Sequence, residues 1–416
     1  MKGIRTILDA ALISLIILCL VPGVMAVTSV LPEDTDNNEV ISEAEINRAV
    51  LDYLYEKYSE MDGTSSLYSD LADGVYIYNH WDGMPKKVTD TSGQEITMCR
   101  PIRKAVVMNS EILETLRSLN YDEEKITGVG KYILEDEIFF PEYADLPNVG
   151  SVWSSDTEKI ISLEPDSVFI YADFMKDKSD EIQESIQSLN PDIRVFRFDL
   201  FNPENYADEV RLLSVIADRE EEGEEFAEFY EKQMNTVQDI ADLIPEDEKV
   251  RVYFESWDDY KSCAEGSGYD EKITIAGGKN IFSNATPAYP VVNPESILFG
   301  SPEIIVKLTG SGKLAFGGYA DDDNSKIIQV YDDLKSRTGW SILPAVKNNR
   351  LHIINNDIFG GPEHFIGTLY FAKWFYPEKF ADINPQEIHQ KYLSDFQGLD
   401  YDLKEHGVFA YPENIS

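Results

Sequence analysis

The sequence predicts an α/β protein of two lobes with mostly parallel sheets, joined by a long helix, with a ligand cleft between the lobes. Three observations carry that prediction. Short apolar runs alternate with amphipathic stretches on both sides of the chain's centre. Between them apolar residues recur at three- and four-residue steps, from Tyr206, Val210, Leu213 and Ile216 to Phe226, Phe229, Tyr230, Met234, Val237 and Ile240. One helix–turn–strand pattern also occurs twice, once on each side, which suggests a ligand held between two similar halves.

The central stripe predicts a connecting helix within residues 202–245. Asn202 can cap it, Pro203 suits its first position, and Pro245 ends it. The polar run from Arg219 to Glu225 predicts a dent at Gly223. Unbroken, such a helix would span about 60 Å at ~1.5 Å per residue, more than one small domain needs. It is read as a spacer between an N-terminal lobe at 85–201 and a C-terminal lobe at 246–416.

The chain has 416 residues, 43% of them hydrophobic, which is enough for substantial cores. Its formal net charge is −40, which excludes nucleic acid and anionic membrane surfaces as partners and suits a soluble protein in salty or calcium-rich surroundings. Residues 1–26 read as an export signal. Lys2 and Arg5 form a basic start, residues 10–21 an apolar run too short to span a membrane comfortably, and Val24-Met25-Ala26 offers a cleavage site. Leu18 before Cys19 speaks against a lipoprotein signal. No later stretch could cross a membrane, so the mature chain is expected outside the cytoplasm, as a monomer. Its Cys99 and Cys263 fall in opposite lobes on this reading and are expected as free thiols.

Residues 27–60 carry a motif of their own. Asp34, Asp36 and Asn38 stand at positions 1, 3 and 5 of a twelve-residue loop, Val40 at 7, Ser42 at 9 and Glu45 at 12, with a helical pattern following from Ile46 to Leu54. The loop resembles an EF-hand, and in being single and leading a helix it is similar to the calcium loop of dockerin modules. It departs from the pattern at position 6, where Glu39 replaces the usual glycine. The resemblance implies bound calcium. Residues 61–84, with little apolar periodicity, are read as a linker.

From residue 88 the alternation can be followed in order. A hairpin is predicted over 87–98, with its turn at Ser92-Gly93. Strands are predicted over 104–108, 125–129, 167–171 and 193–198, and helices over 110–119, 156–163 and 179–189. Beyond the spacer, strands are predicted over 250–254, 303–308 and 351–354. Helices are predicted over 269–276, 294–299, 325–331, 364–375 and 385–396. The repeated device runs from Ser155 to Tyr171 and from Val292 to Val306. Each copy has a glutamate in the first helical turn, Glu158 or Glu295, where the helix dipole favours it by about 0.3–1 kcal/mol.

Several stretches together resemble the solute-binding proteins of ABC importers for ferric siderophores, haem or cobalamin. They are Val88 to Thr97, Arg103 to Met108, Leu146 to Gly150 with Trp153, the two echoing devices, Ile342 to Leu351, Gly360-Gly361-Pro362, and Leu369 to Pro377. The resemblance covers about residues 85–400. It implies capture of an iron chelate or a corrinoid of cobalamin type, with delivery to an ABC importer permease. It implies ligand contacts from Met108, Asn109, Lys131, Tyr132, Trp153 and Tyr171 in the first lobe. In the second lobe it implies Trp257, Tyr260, Tyr289, Phe316, Tyr319 and Phe359, because aromatic walls suit a corrin, a porphyrin or catecholate rings. Trp153 is similar to a ligand-facing Trp of cobalamin-type members. Lys131, Lys307 and Arg337 are the cations an anionic chelate would use. Glu158 and Glu295 would each meet an arginine of the permease. No catalytic motif or catalytic cofactor is evident, so an enzyme is not expected. An exported hydrolase and a calcium-dependent surface interaction protein remain as alternatives.

Overall fold

The structure is a computed structural model that describes residues 31–58 and 65–412; the predicted export signal and Cys19 lie outside the described residues. The chain falls into two compact units, Met1–Lys86 with Thr97–Arg100, and Lys87–Ile96 with Pro101–Ser416.

In the first unit the calcium-like loop leads into α1 (Glu43–Tyr58). The stretch read as a linker is mostly helix, α2 (Ser65–His80). Ile77 supplies its buried contact to Leu31 and Ile41, joined by Ile46, Trp81 and Cys99. Cys99 therefore belongs here rather than to the first lobe, and both it and Cys263 are free thiols. The predicted hairpin is present as β1 (Lys86–Thr89) and β2 (Glu95–Met98), with its turn held by Asp90, whose Oδ1 accepts from the Ser92 and Gln94 N–H groups.

The second unit contains both lobes. The first is built on β3 (Ala105–Val107), β4 (Ile126–Val129), β7 (Ser167–Ile170) and β8 (Arg194–Arg197), in the order β4-β3-β7-β8 and all parallel. Between β4 and β7 lies a small antiparallel pair, β5 (Gly150–Ser151) and β6 (Ser154–Ser155). The helices are α3 (Ser110–Ser118), α4 (Lys131–Glu135), α5 (Thr157–Ser162) and α6 (Lys176–Leu189). The buried centres of its strands are apolar, at Val106, Val168, Ile170 and Val195, and one face meets Ile160, Ile182 and Ile186. Each such side chain contributes about 1.5–3 kcal/mol relative to exposure.

The connecting segment is two helices, not one. α7 (Tyr206–Ala217) ends at Asp218, which takes the left-handed conformation at φ 57°, and α8 (Glu220–Ala241) doubles back along it. Arg211 on α7 binds Glu224 and Glu231 on α8. Gly223 does not dent the helix. It lets the two helices cross, since a Cβ there would come within 2.2 Å of the Ser214 Cβ. One apolar stripe thus serves two helices packed on each other, and α8 ends at Ala241, short of Pro245.

The second lobe holds β9 (Arg251–Glu255), β10 (Lys279–Asn280), β11 (Ile304–Thr309), β12 (Leu351–Asn355) and β13 (Ala410–Tyr411). Their order is β10-β9-β11-β12-β13, parallel except for the last pair. Its helices are α9 (Tyr269–Ile275), α10 (Pro294–Gly300), α11 (Ser325–Ser336), α12 (Pro344–Lys347), α13 (His364–Phe375) and α14 (Pro385–Asp395). Tyr253, Trp340, Ile305 and Ile353 centre its core. Among the described residues no helix is long and apolar enough to cross a membrane.

Candidate functional site

In open α/β sheets ligands bind beyond the carboxyl ends of the strands. Both sheets point those ends into one cleft. Glu111 follows β3 and Tyr171 follows β7; Trp257, Ser311 and Asn356 follow β9, β11 and β12. Two cavities lie there and share Glu111, Asn356 and Gly360. One of about 230 Å³ is walled by Tyr171, Phe174, Phe201, Trp257, Tyr269 and Tyr289. The other, about 140 Å³, is lined by Glu114, Asp136, Phe139, Tyr319, Asp357 and Glu363 among others.

Local chemistry fixes these walls. The loop carrying Tyr171 and Phe174 is gathered by Asp199, whose carboxylate accepts the N–H groups of Ala172, Asp173 and Phe174 at 3.0–3.2 Å. Buried Arg197 donates to the carbonyls of Tyr171 and Ala172. Across the cleft, Tyr269 donates to Asn356 Oδ1 and stacks on Phe359 at 5.3 Å. Gly360 has no room for a side chain, since a Cβ would lie 2.4 Å from Asn356 Oδ1.

The smaller cavity is acidic. Tyr171 donates to Glu111 Oε2 at 2.8 Å, Tyr392 to Glu114 Oε1 at 2.6 Å, and the Tyr319 hydroxyl meets Glu363 at 2.6 Å. Backbone N–H groups of Phe139 and Tyr319 bind one oxygen each of Asp136 and Asp357. Asp357 is exposed at the cleft; partial loss of solvation beside the surrounding protein, then the charge of Asp136, pushes its carboxyl up to about 7. Burial also pushes Glu111, Glu114 and Glu363 up. The one base lining either cavity is Lys272, held at about 7 by burial, with its Nζ on the Phe359 carbonyl at 2.8 Å.

Of the residues expected to contact ligand, Tyr171, Trp257, Tyr289 and Tyr319 line the cavities and Phe359 stands directly behind Tyr269. The others do not line them. Met108 is in the first lobe's core, where β3 is buried on both faces. Asn109 is buried with neither side-chain polar atom bonded. Lys131 and Tyr132 lie on the outside of α4, Lys131 paired with Glu135. Trp153, 58% exposed, sits at the turn of the β5–β6 pair. Tyr260 packs under the Arg337 guanidinium at 4.7 Å, and Phe316 under Lys326 at 5.5 Å. The expected cations are spoken for: buried Glu255 takes both Lys307 and Arg337, which hold its carboxylate down against the effect of burial. Sequence reasoning missed Glu111, Asp136, Asp357 and Glu363; among 76 acidic residues nothing in the sequence marks them.

Glu158 and Glu295 are both exposed, in the first turns of α5 and α10. Those turns are already capped, by Asp156 accepting from Lys159 N at 2.9 Å and by Asn293 accepting from Glu295 N at 2.8 Å.

In the first unit, Asp34, Asp36 and Glu45 bring carboxylate oxygens within 4.8 Å of one another. Glu45 accepts from the N–H groups of Thr35 and Ser42 and from both their hydroxyls, and hydrogen bonds led by Ser42 hold its carboxyl down to about 2. Asp34 accepts from Asn38 N and Glu39 N. Glu39 takes φ 64°, the left-handed turn that a glycine usually supplies at that position.

Residues 106–358 match the periplasmic binding protein family. The chain is 21% identical over 305 residues to an uncharacterized ABC transporter substrate-binding lipoprotein, YvrC, of Bacillus subtilis, covering 72% of this chain and 88% of that protein. It is 24% identical over 211 residues to a vitamin B12-binding protein of Photorhabdus laumondii, covering 50% and 74%. Its fold is similar to that of the TroA-like periplasmic binding protein FepB from Veillonella parvula, with TM-score 0.68 at 22% identity, over 78% of this chain and 99% of that one. With two parallel-sheet lobes facing one cleft, the chain belongs to the periplasmic binding protein family, whose members similar to it are substrate-binding proteins of ABC transporters rather than enzymes.

Proposed function

We propose that this chain captures a small solute outside the cytoplasm and hands it to an ABC importer, with Glu158 and Glu295 as the two docking points. The observation that carries the reading is the enclosed, aromatic-walled cleft at the carboxyl ends of both sheets. Within the range of iron chelates and corrinoids, cavities of about 230 and 140 Å³ favour a compact chelate; a corrinoid needs the lobes further apart. One exposed glutamate per lobe, on helices that other residues already cap, suits a gauge of lobe spacing read by permease arginines. The test is the Glu158→Ala, Glu295→Ala double variant with the cognate importer in reconstituted membranes. Solute affinity stays as in the wild type while stimulation of ATP hydrolysis is lost, each single variant being milder. Normal stimulation by the double variant removes the docking role.

A second reading, for the first unit, is a calcium loop. Its donors are all oxygens: the carboxylates of Asp34, Asp36 and Glu45, the Asn38 amide, the Val40 carbonyl, and Ser42, which can hold a water. The spacing of the three carboxylates and the left-handed Glu39 support it. Calcium there would tie the loop to α1.

A further inference from the structure

The charge of the cleft runs against that of an anionic cargo. Five carboxyl groups line the two cavities, Glu111, Glu114 and Asp136 from the first lobe and Asp357 and Glu363 from the second. Among the described residues Lys272 is the one base that lines either cavity, and no cleft carboxylate takes a hydrogen bond from it. Lys272 is turned onto the Phe359 carbonyl. Arg117, behind the cavity wall, is tied to Gln397, the Phe139 carbonyl and Glu142. Asp136 and Asp357 each have one oxygen fixed by a backbone N–H, and their other oxygens take no hydrogen bond from the described residues. Asp136 is half-buried and Asp357 exposed, so these oxygens face open cleft space, where a cation meets them without displacing a protein donor.

Two further features narrow the cation. The cavity of about 230 Å³ is walled by ring faces, with Tyr269 stacked on Phe359 and Trp257 against Tyr289, and the negative face of an aromatic ring attracts positive charge. Among the described residues, three acidic, cysteine or histidine ligand atoms close to within 4.8 Å of one another only at Asp34, Asp36 and Glu45, so no three cleft carboxylates converge on one bare ion. The cation these features fit is broad, with its charge spread over several atoms.

We propose that the solute carried in this cleft is a broad cation, its positive charge spread between Asp136 and Asp357 with Glu111 beside them, and its outer surface against the aromatic wall. This rests on the importer reading. Its two chemical sources are a metal complex of net positive charge and an organic polyamine. The experiment is calorimetric titration of the purified full chain with three probes: hexaamminecobalt(III), spermidine and molybdate. At least one cation binds one-to-one and molybdate does not; which cation binds more tightly names the source. Asp136→Asn with Asp357→Asn weakens that binding at least about tenfold, Glu111→Gln weakens it in a chain with the first two acids intact, and Asp258→Asn on the surface leaves it unchanged. The proposal is overturned if neither cation binds one-to-one, if molybdate binds as tightly, or if the cleft variants bind the cation as the wild type does. None of these outcomes bears on the importer reading, which fails on its own readout, the ATPase stimulation.

Discussion

The two acidic groups of this molecule, the loop at Asp34, Asp36 and Glu45 and the cleft at Asp136, Asp357 and Glu363, use one residue type to opposite effect. In the loop, successive backbone N–H groups and two hydroxyls converge on the carboxylates, so Glu45 stays ionised far into acid, down to about 2. In the cleft, donors are few and desolvation is not offset, so Asp357 is pushed up to about 7 and Glu363 is also raised. Donor supply therefore separates the two sets more than the number of acids does. The loop's oxygens are close enough for a compact ion; the cleft's are spread around an aromatic-walled space and suit something larger.

The largest effect should come from the loop. The proposed calcium loop is expected to bind calcium with a dissociation constant on the order of 10⁻⁴ to 10⁻³ M, as extracellular modules do. Glu45→Gln abolishes the saturable heat in calorimetry, because the bidentate carboxylate is gone. Equal heat from the variant would leave the loop as an acidic turn and remove one side of the comparison.

A smaller effect is expected in the cleft, with a definite sign. A carboxyl raised in the folded chain binds a proton that the unfolded chain has released, so stability from that group falls as pH rises through the interval up to about 7. Asp136 and Glu363 repel the ionised Asp357 and reinforce this. The solute-free wild type should gain melting temperature on going from pH 8 to pH 5, and Asp357→Asn should gain less. An identical gain in both would mean that Asp357 does not carry the titration. Glu45 works the other way: its contribution is present above the ordinary carboxylate range and is lost only as pH falls towards about 2.

The smallest expected change tests whether the hydroxyls or the backbone hold Glu45. Ser42→Ala removes one hydroxyl donor and keeps the Ser42 N–H, at 3.0 Å from Oε2. The hydroxyl also accepts from the Glu45 N–H at 3.3 Å, so two hydrogen bonds are lost and calcium binding should weaken by up to about 2 kcal/mol. A complete loss would mean that the side chain at position 9 is itself indispensable.

How much of this was legible varies by element. The strands of both lobes follow from their apolar runs, because a parallel strand covered on both faces admits little else. Helix α2 is hard to read from the sequence, since Ser, Asp, Gly and Asn interrupt its apolar residues and Ile77 is its one buried contact to Leu31 and Ile41. Of the aromatics that the resemblance implies, Tyr171, Trp257, Tyr289 and Tyr319 line the two cavities, while Trp153 and Tyr132 are exposed and line neither.

By itself the sequence determined the two-lobed α/β class, the boundaries of most strands, the spacing of the loop carboxylates and the two exposed glutamates, because these depend on local periodicity and short-range caps. Tertiary structure alone decided that one apolar stripe becomes two helices folded at Asp218, that Lys307 and Arg337 turn inward to Glu255, and that five of 76 acids gather in the cleft. The physical reason is the same in each case: which partner a charged or apolar side chain finds depends on residues distant in sequence, and only folding brings them within reach.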